Sequence, residues 1–438
     1  MQNPIKKIIL FILFFLLAFS SIRLITLCKI SYFDFIPFFI IFILLIIKKP
    51  IFVFMLLIFF GYIETFTLIL PTRFVTINII LIFLCLFVFL LRNAVYRKKI
   101  LFKKELLPVF LLLILTSFSL FFAIDFEVSY VKVTRLISCL ILCFLAFNIV
   151  ETKKDLYLVF FTIVGAALFL GINGILFSKE LMEKDVFRIS ARGWDPNCFG
   201  ITCASIIPLC FGLYRTSKRI FMVKLIVLAV VGLMFVVIYL TASRAAFVVT
   251  MMGIILLLFR RLLSFKILFL FIFLILIIIP RLPEYHLKRL LVLPGLEQHI
   301  RLSEDSPEIS TKDRLHTLKD GLFNVFARNP LFGVGIGNYN YYSWWQRSPH
   351  NMYLGVAAEL GIFGFFLFIL IIINSFMDLR INKEKAIKDV RILSEAVRIS
   401  LIMFCLGGLS LDLEYTKAFW IILCLGSILK NISVTEDL

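Results

Sequence analysis

Charge is scarce in this chain. Only 17% of its 438 residues are charged, and acids are the rarer kind, 27 Asp and Glu against 46 Lys and Arg. A soluble globular domain carries about a quarter charged residues, so a soluble fold is excluded for the bulk of the chain. Histidine is rarer still, with four in all. The nine cysteines form no Cys-x-x-Cys pair and lie mainly in apolar stretches. That pattern supplies neither a disulfide framework nor a zinc site, and it reads them as small buried apolar residues. No folded basic domain accompanies the net charge of +19. A nucleic-acid partner is excluded on that ground, and the excess charge reads as membrane topology and affinity for anionic lipid.

What the chain has is apolar length. Hydrophobic residues make up 62% of it, with 51 Phe, and the mean hydropathy is +1.05. A helix needs about 20 apolar residues to cross a bilayer, and runs of that kind recur almost throughout. They predict an all-α, polytopic transmembrane bundle of about 12–14 spans, one domain over residues 1–438. The spans fall roughly at 8–22, 30–47, 51–70, 74–91, 106–124, 133–150, 156–177, 195–214, 220–240, 242–259, 263–279, 351–373, 399–411 and 417–430. Residues 8–22 lack a small-residue cleavage site and read as the first span, not as a signal peptide. Alternate connections carry the basic residues, among them Lys48 and Lys49, Lys98 and Lys99, Lys153 and Lys154, and Arg260 and Arg261. Short basic loops stay in the cytoplasm, so both termini are expected there, in a multi-pass protein of the bacterial inner membrane.

Two of the opposite, extracytoplasmic connections are long: 178–194, and 280–350. In the second, Leu315, Leu318, Leu322, Phe323 and Phe326 recur at helical spacing beside Lys312, Arg314, Lys319 and Arg328, which predicts an amphipathic helix on the membrane surface. The run Asn329–Tyr339, NPLFGVGIGNY, supplies turn residues. Trp344 and Trp345 follow, as suits the headgroup belt.

Arg188, Arg244 and Arg314 stand at the boundary on this outer side, against the orientation trend. Any one of them reads equally as a helix-end residue snorkelling to phosphate headgroups. Three of them beside a boundary histidine favour a site for an anionic substrate, since guanidinium pairs phosphate oxygens bidentately and stays charged. The histidine is His350, just before a span. Imidazole accepts protons near neutral pH, which suits a general base. Taken alone, His350 reads better as a residue that caps a helix, with Asn351 helping. Glu359 lies within the same span, on the helix face opposite His350 and about 13 Å deeper, so its partner belongs to a neighbouring helix. Asp412 with Glu414, and Asp125 with Glu127, are the acidic pairs a metal would need, but two carboxylates on a short loop are usually just solvated, and no metal is expected.

His350-Asn351, nine residues, Gly361, two residues, Gly364 resembles the signature of the bacterial O-antigen ligase and polymerase family. Three more segments agree in order. RISARGWDPN (Arg188–Asn197) is similar to the family's arginine-then-DPN segment, SRAAF (Ser243–Phe247) to its Ser-Arg-Gly segment, and Arg314 through NPLFGVGIGNY to its segment before the histidine. The resemblance spans residues 188 to 364. Ala191 and Ala245 stand where the family usually has Gly, and Leu318 where it often has Trp. The resemblance implies a metal-independent membrane glycosyltransferase without a cofactor, working on the extracytoplasmic side. Its donor would be a glycan on undecaprenyl diphosphate. Its acceptor would be the lipid A core for a ligase, or a second lipid-linked glycan for a polymerase. His350 would then be the base, Arg188 and Arg244 would neutralise the departing diphosphate, and Arg314, Asn351, Asp195, Asn197 and Glu359 would bind or support substrate. The rival reading is a flippase of lipid-linked oligosaccharides. Such transporters carry internal repeats and midplane sites, whereas this chain has no visible repeat and gathers its polar groups at one face.

Overall fold

The computed structural model describes residues 49–63, 77–97, 100, 104–177, 188–190, 194–217, 221–278, 307–381 and 388–435. The expected spans 8–22 and 30–47, and all of 280–306, lie outside them. From Pro50 onward the described residues form one compact unit, and its regular structure is helical throughout. The all-α polytopic bundle expected from the sequence is borne out.

Fourteen α-helices are described: α1 (Ile51–Ile63), α2 (Ile77–Tyr96), α3 (Leu107–Phe118), α4 (Phe126–Ile149), α5 (Lys153–Phe177), α6 (Pro196–Thr216), α7 (Phe221–Leu240), α8 (Arg244–Phe259), α9 (Phe265–Ile278), α10 (Pro307–Asp320), α11 (Tyr339–Tyr342), α12 (Met352–Asp378), α13 (Lys388–Gly407) and α14 (Lys417–Thr435). Six stretches among them are long and apolar enough to cross a membrane, with α1, α2 and α8 as shorter apolar helices. Helix α6 is the hub. Residues Phe199 to Leu213 are all buried, as expected of a helix that is apolar on every side, and α13, α7, α8 and α5 pack around it. In lipid, such contacts rest on close backbone approach. A β-carbon at Gly200 would stand 2.8 Å from that of Ala246 on α8, and one at Gly212 would stand 2.7 Å from that of Ala396 on α13.

Three expectations need correction. Helix α13 begins at Lys388, eleven residues before the predicted span at 399. Val390, Leu393, Ala396 and Val397 are buried while Arg391, Glu395 and Arg398 occupy the other face, so an amphipathic start had read as loop. Helix α4 begins at Phe126 and not at 133, because the Asp125 side chain caps it by accepting from the Val128 N–H. Cys143 and Cys424, expected as buried thiols, are bonded to each other between α4 and α14.

Helix α12 is broken at Gly361, whose φ of +67° is left-handed. The break lies about 14 Å into the helix at 1.5 Å per residue, where open backbone polar groups are tolerated only when protein satisfies them. The 329–338 segment does so. Val334 N–H donates to the Ala358 carbonyl (2.9 Å), Gly335 N–H to that of Glu359 (2.9 Å), and Ile362 N–H to that of Pro330 (2.8 Å). A β-carbon at Gly361 would lie 2.2 Å from the Leu331 carbonyl oxygen, and one at Gly333 would lie 2.4 Å from that of Glu359. Only glycine fits at either place. Ahead of this segment, α10 runs into a π-helical turn (Gly321–Val325) and a 3-10 turn (Phe326–Arg328). Leu315 and Phe323 are 55% and 69% exposed, an uncovered apolar face of the kind a membrane surface accepts.

Candidate functional site

The candidate residues gather at the end of the bundle where α4, α6, α8, α12 and α14 begin and α7 and α13 end. One corner is built from arginine. The segment at 188–190 hydrogen-bonds the end of α7 through Ile189 N–H and the Leu240 carbonyl (3.1 Å). That places Arg188, whose Nε donates to the Thr241 carbonyl (3.0 Å) and whose Nη2 donates to Asn197 Oδ1 (3.0 Å). Asn197 stands in the first turn of α6, capped by Asp195, which accepts from the N–H groups of Asn197 (2.8 Å) and Cys198 (3.2 Å). Ser243 caps α8 in the same way through Ala246 N–H (3.3 Å), which makes Arg244 its first residue. Two helix N-termini thus meet here, with the Arg188 guanidinium bonded between them and Arg244 opening α8, an arrangement suited to anions.

The second corner holds His350. Its side chain is exposed and its φ is +47°, the left-handed region. Such a conformation in a residue other than glycine persists only where the surroundings hold it. Here the holding is visible. Asn351 caps α12 by accepting from Tyr353 and Leu354 N–H (3.0 Å each), and its Nδ2 donates to the Leu409 carbonyl (3.1 Å). Its own N–H donates to Asp412 Oδ1 (3.0 Å), and Met352 N–H donates to the Gly408 carbonyl (2.9 Å). Burial raises the Asp412 carboxyl above the usual value, opposed by a hydrogen bond from Ser348, by His350 and by the Asn351 N–H. Asp412 is thus fixed to the turn that carries His350, near enough for the two side chains to interact electrostatically. Beside it, burial pushes Glu414 well above the usual range, and the charges of Asp412 and Glu359 push it further.

The turn after α13 links the two corners. Gly407 abuts Ile201 of α6, and Gly408 abuts Met352 of α12. No direct hydrogen bond among the described residues joins the arginine corner to His350. Arg314, half-buried on α10, belongs to the same end: Gly321, two turns on, lies against Leu354 in the first turn of α12.

Glu359 is not in the His350 corner. It is buried, its Oε1 lies 2.8 Å from Lys132 Nζ on α4, and its Oε2 accepts from the Tyr415 hydroxyl (2.7 Å). Lys132 also stands 5.4 Å above the Tyr415 ring. Sequence reasoning assigned no role to Lys132, Tyr415 or Ser348, and weighed Asp412 only as half of an acidic pair. The signal for Lys132 was a lone lysine in an apolar run, YVKVT, away from the basic loops.

These features define a polytopic helical membrane protein with a cationic and imidazole-bearing site at one end of its bundle. Residues 228–369 match the family described as O-antigen ligase, which bears out the resemblance read from the motifs and supports glycosyltransferase activity of that general kind. The matched stretch contains Arg244, Arg314, His350, Asn351 and Glu359, while Arg188, Asp195, Asn197, Lys132 and Asp412 lie outside it. A comparison with curated proteins found no match.

Proposed function

We propose that this end of the bundle transfers a glycan from undecaprenyl diphosphate to an acceptor hydroxyl, on the extracytoplasmic side of the bacterial inner membrane. The acceptor is the lipid A core or a second lipid-linked glycan. The observation that carries the reading is the placement of His350 beside Asp412 at the same end as Arg188 and Arg244. In this reaction His350 takes the proton of the acceptor hydroxyl. The acceptor oxygen bonds to the anomeric carbon, and the bond from that carbon to the diphosphate oxygen breaks. The diphosphate leaves with the electron pair, and Arg188 and Arg244 stabilise its added charge in a low-dielectric cleft. Arg314 holds the donor or the acceptor. Asp195, Asn197 and Asn351 act mainly by fixing the turns that carry these groups, and Glu359 by anchoring α12.

Two experiments test this. Purified protein supplied with lipid-linked oligosaccharide and acceptor is expected to form the glycosylated product, and to do so equally in excess EDTA, because arginine supplies the countercharge. Translocation without product would overturn the reading in favour of a flippase, and activity restored only by Mg²⁺ or Mn²⁺ would move the chemistry to Asp412 and Glu414. For sidedness, a periplasmic reporter fused after Pro307 is expected to be active and one fused at Lys385 inactive. The reverse would place His350 in the cytoplasm.

A further inference from the structure

At the end of the bundle opposite His350 lies a second, differently built site. A cavity of about 600 Å³ is lined by Arg215 from the last turn of α6, by Arg260 and Arg261 after α8, and by Lys388 and Arg391 from the first turns of α13. Among the lining residues, Glu395 is the one carboxylate against these five cations. Basic residues that only set topology have no reason to share one concavity, because like charges at close range repel. Here the backbone is arranged to bring them together. After α8 the chain folds back on itself: Arg260 N–H donates to the Leu256 carbonyl (2.9 Å), Arg261 N–H to that of Leu258 (2.9 Å), and the N–H groups of Leu262 and Leu263 both reach that of Leu257. Arg261 takes a left-handed φ of +56° to make this turn. Arg215 Nη2 then donates to the Arg261 carbonyl at 2.6 Å, tying α6 to the turn. Glu395 reaches Arg260 (3.5 Å), tying α13 to the turn, and pairs with Arg398 of its own helix (3.4 Å).

One wall of the cavity is apolar. Phe259 lines it, 78% exposed, with the Arg260 guanidinium 5.9 Å from its ring, and Leu262 lies beside it. The volume is that of a small-molecule site and exceeds what one inorganic phosphate fills. Cations on one side and an apolar wall on the other, at the ends of membrane-crossing helices, match a phosphate with a hydrocarbon chain attached. Basic pockets between transmembrane helices take anionic headgroups in just this way. We propose that this cavity binds the phosphate headgroup of an anionic phospholipid, with Arg215, Arg260, Arg261, Lys388 and Arg391 around the phosphate and the acyl chain leaving over Phe259. The site is separate from the transfer chemistry and does not depend on it.

The test uses the full chain in detergent micelles doped with equal amounts of phosphatidylglycerol and phosphatidylcholine, with bound lipid counted by native mass spectrometry. The expected result is selective retention of phosphatidylglycerol. In the K388Q/R391Q double variant that retention is expected to fall roughly 30-fold, since each Lys or Arg near anionic lipid contributes about a factor of five. K154Q, a basic substitution outside the cavity, is expected to leave retention unchanged. Melting temperatures of the three proteins without added lipid, equal within error, would show that the loss is not one of folding. Equal retention of the two lipids, or a phosphatidylglycerol preference that survives the double substitution, would overturn the proposal. Millimolar inorganic phosphate or pyrophosphate that binds and displaces the lipid completely would assign the site to a soluble anion, and would overturn it as well.

Discussion

Replacing His350 with alanine is expected to cut turnover by about 10²- to 10⁴-fold, the range for loss of a general base, while donor affinity stays close to that of the parent protein. The split follows from where the charge lies. In the proposed reaction the donor diphosphate is anionic before transfer and more so as the glycosidic bond breaks, so an arginine that binds it would meet it in both states. The proton that His350 would remove as the proposed base moves only during reaction. Arg188→Ala and Arg244→Ala are therefore expected to weaken donor binding as well as rate. For Arg188 a second effect adds to this, because its bonds to Thr241 and Asn197 join the 188–190 segment to α6 and to the α7–α8 turn. Lysine at either place is expected to recover only part of the function, as a point charge without the planar fork. Donor affinity, turnover and melting temperature measured on the same purified variants separate these outcomes. A His350→Ala protein that melts normally and turns over at the full rate would remove the base from the mechanism. One that melts low but keeps its specific activity per folded molecule would make His350 a helix-end residue held in a strained turn.

How much of this was readable in advance depended on range along the chain. The spans were legible wherever the apolar run was continuous, as in α5, α6 and α7, because hydropathy over about 20 residues is a local property. Helix α13 was half hidden, since its first turns alternate buried Val390 and Leu393 with Arg391 and Glu395. The start of α4 was legible in principle, in an aspartate cap followed by Glu127 in the first turn. The bond between Cys143 and Cys424 was not, with 281 residues separating them. At the site, the motif carried the residues but not their partners. Arg188 and Asn197 are nine residues apart and within one quoted segment, yet Asp412 reaches Asn351 across 61 residues, and nothing local marks it. Gly361 belonged to the motif, but its physical reason, a second segment crossing α12 at that point, exists only in the folded chain.

The same range separates Lys132 from Glu359, which are 227 residues apart in sequence and 2.8 Å apart in space, and the largest stability effect is expected there. The carboxylate is 4% exposed and the lysine 32%, so the pair is nearly out of water on one side only. Lys132→Met would leave the Glu359 carboxyl buried without its cation and held by the Tyr415 hydroxyl alone. Removing one partner of a buried pair typically costs about 3–5 kcal/mol, most of it the penalty on the charge left behind. The double variant Lys132→Met, Glu359→Gln removes that charge while keeping an acceptor for Tyr415, and is expected to recover most of the loss. The cost has a route to the site, because the Glu359 carbonyl accepts from Gly335 N–H and so holds the segment that fills the break in α12. The single variant is therefore expected to lose thermal stability first, and activity only in proportion to the folded fraction. A double-mutant cycle on melting temperature in detergent, with turnover per folded molecule beside it, tests both parts. A Lys132→Met protein as stable as the parent would mean that Glu359 is neutral or reached by water. A double variant no better than the single would mean that the lysine acts through Tyr415 and its ring, not through the carboxylate.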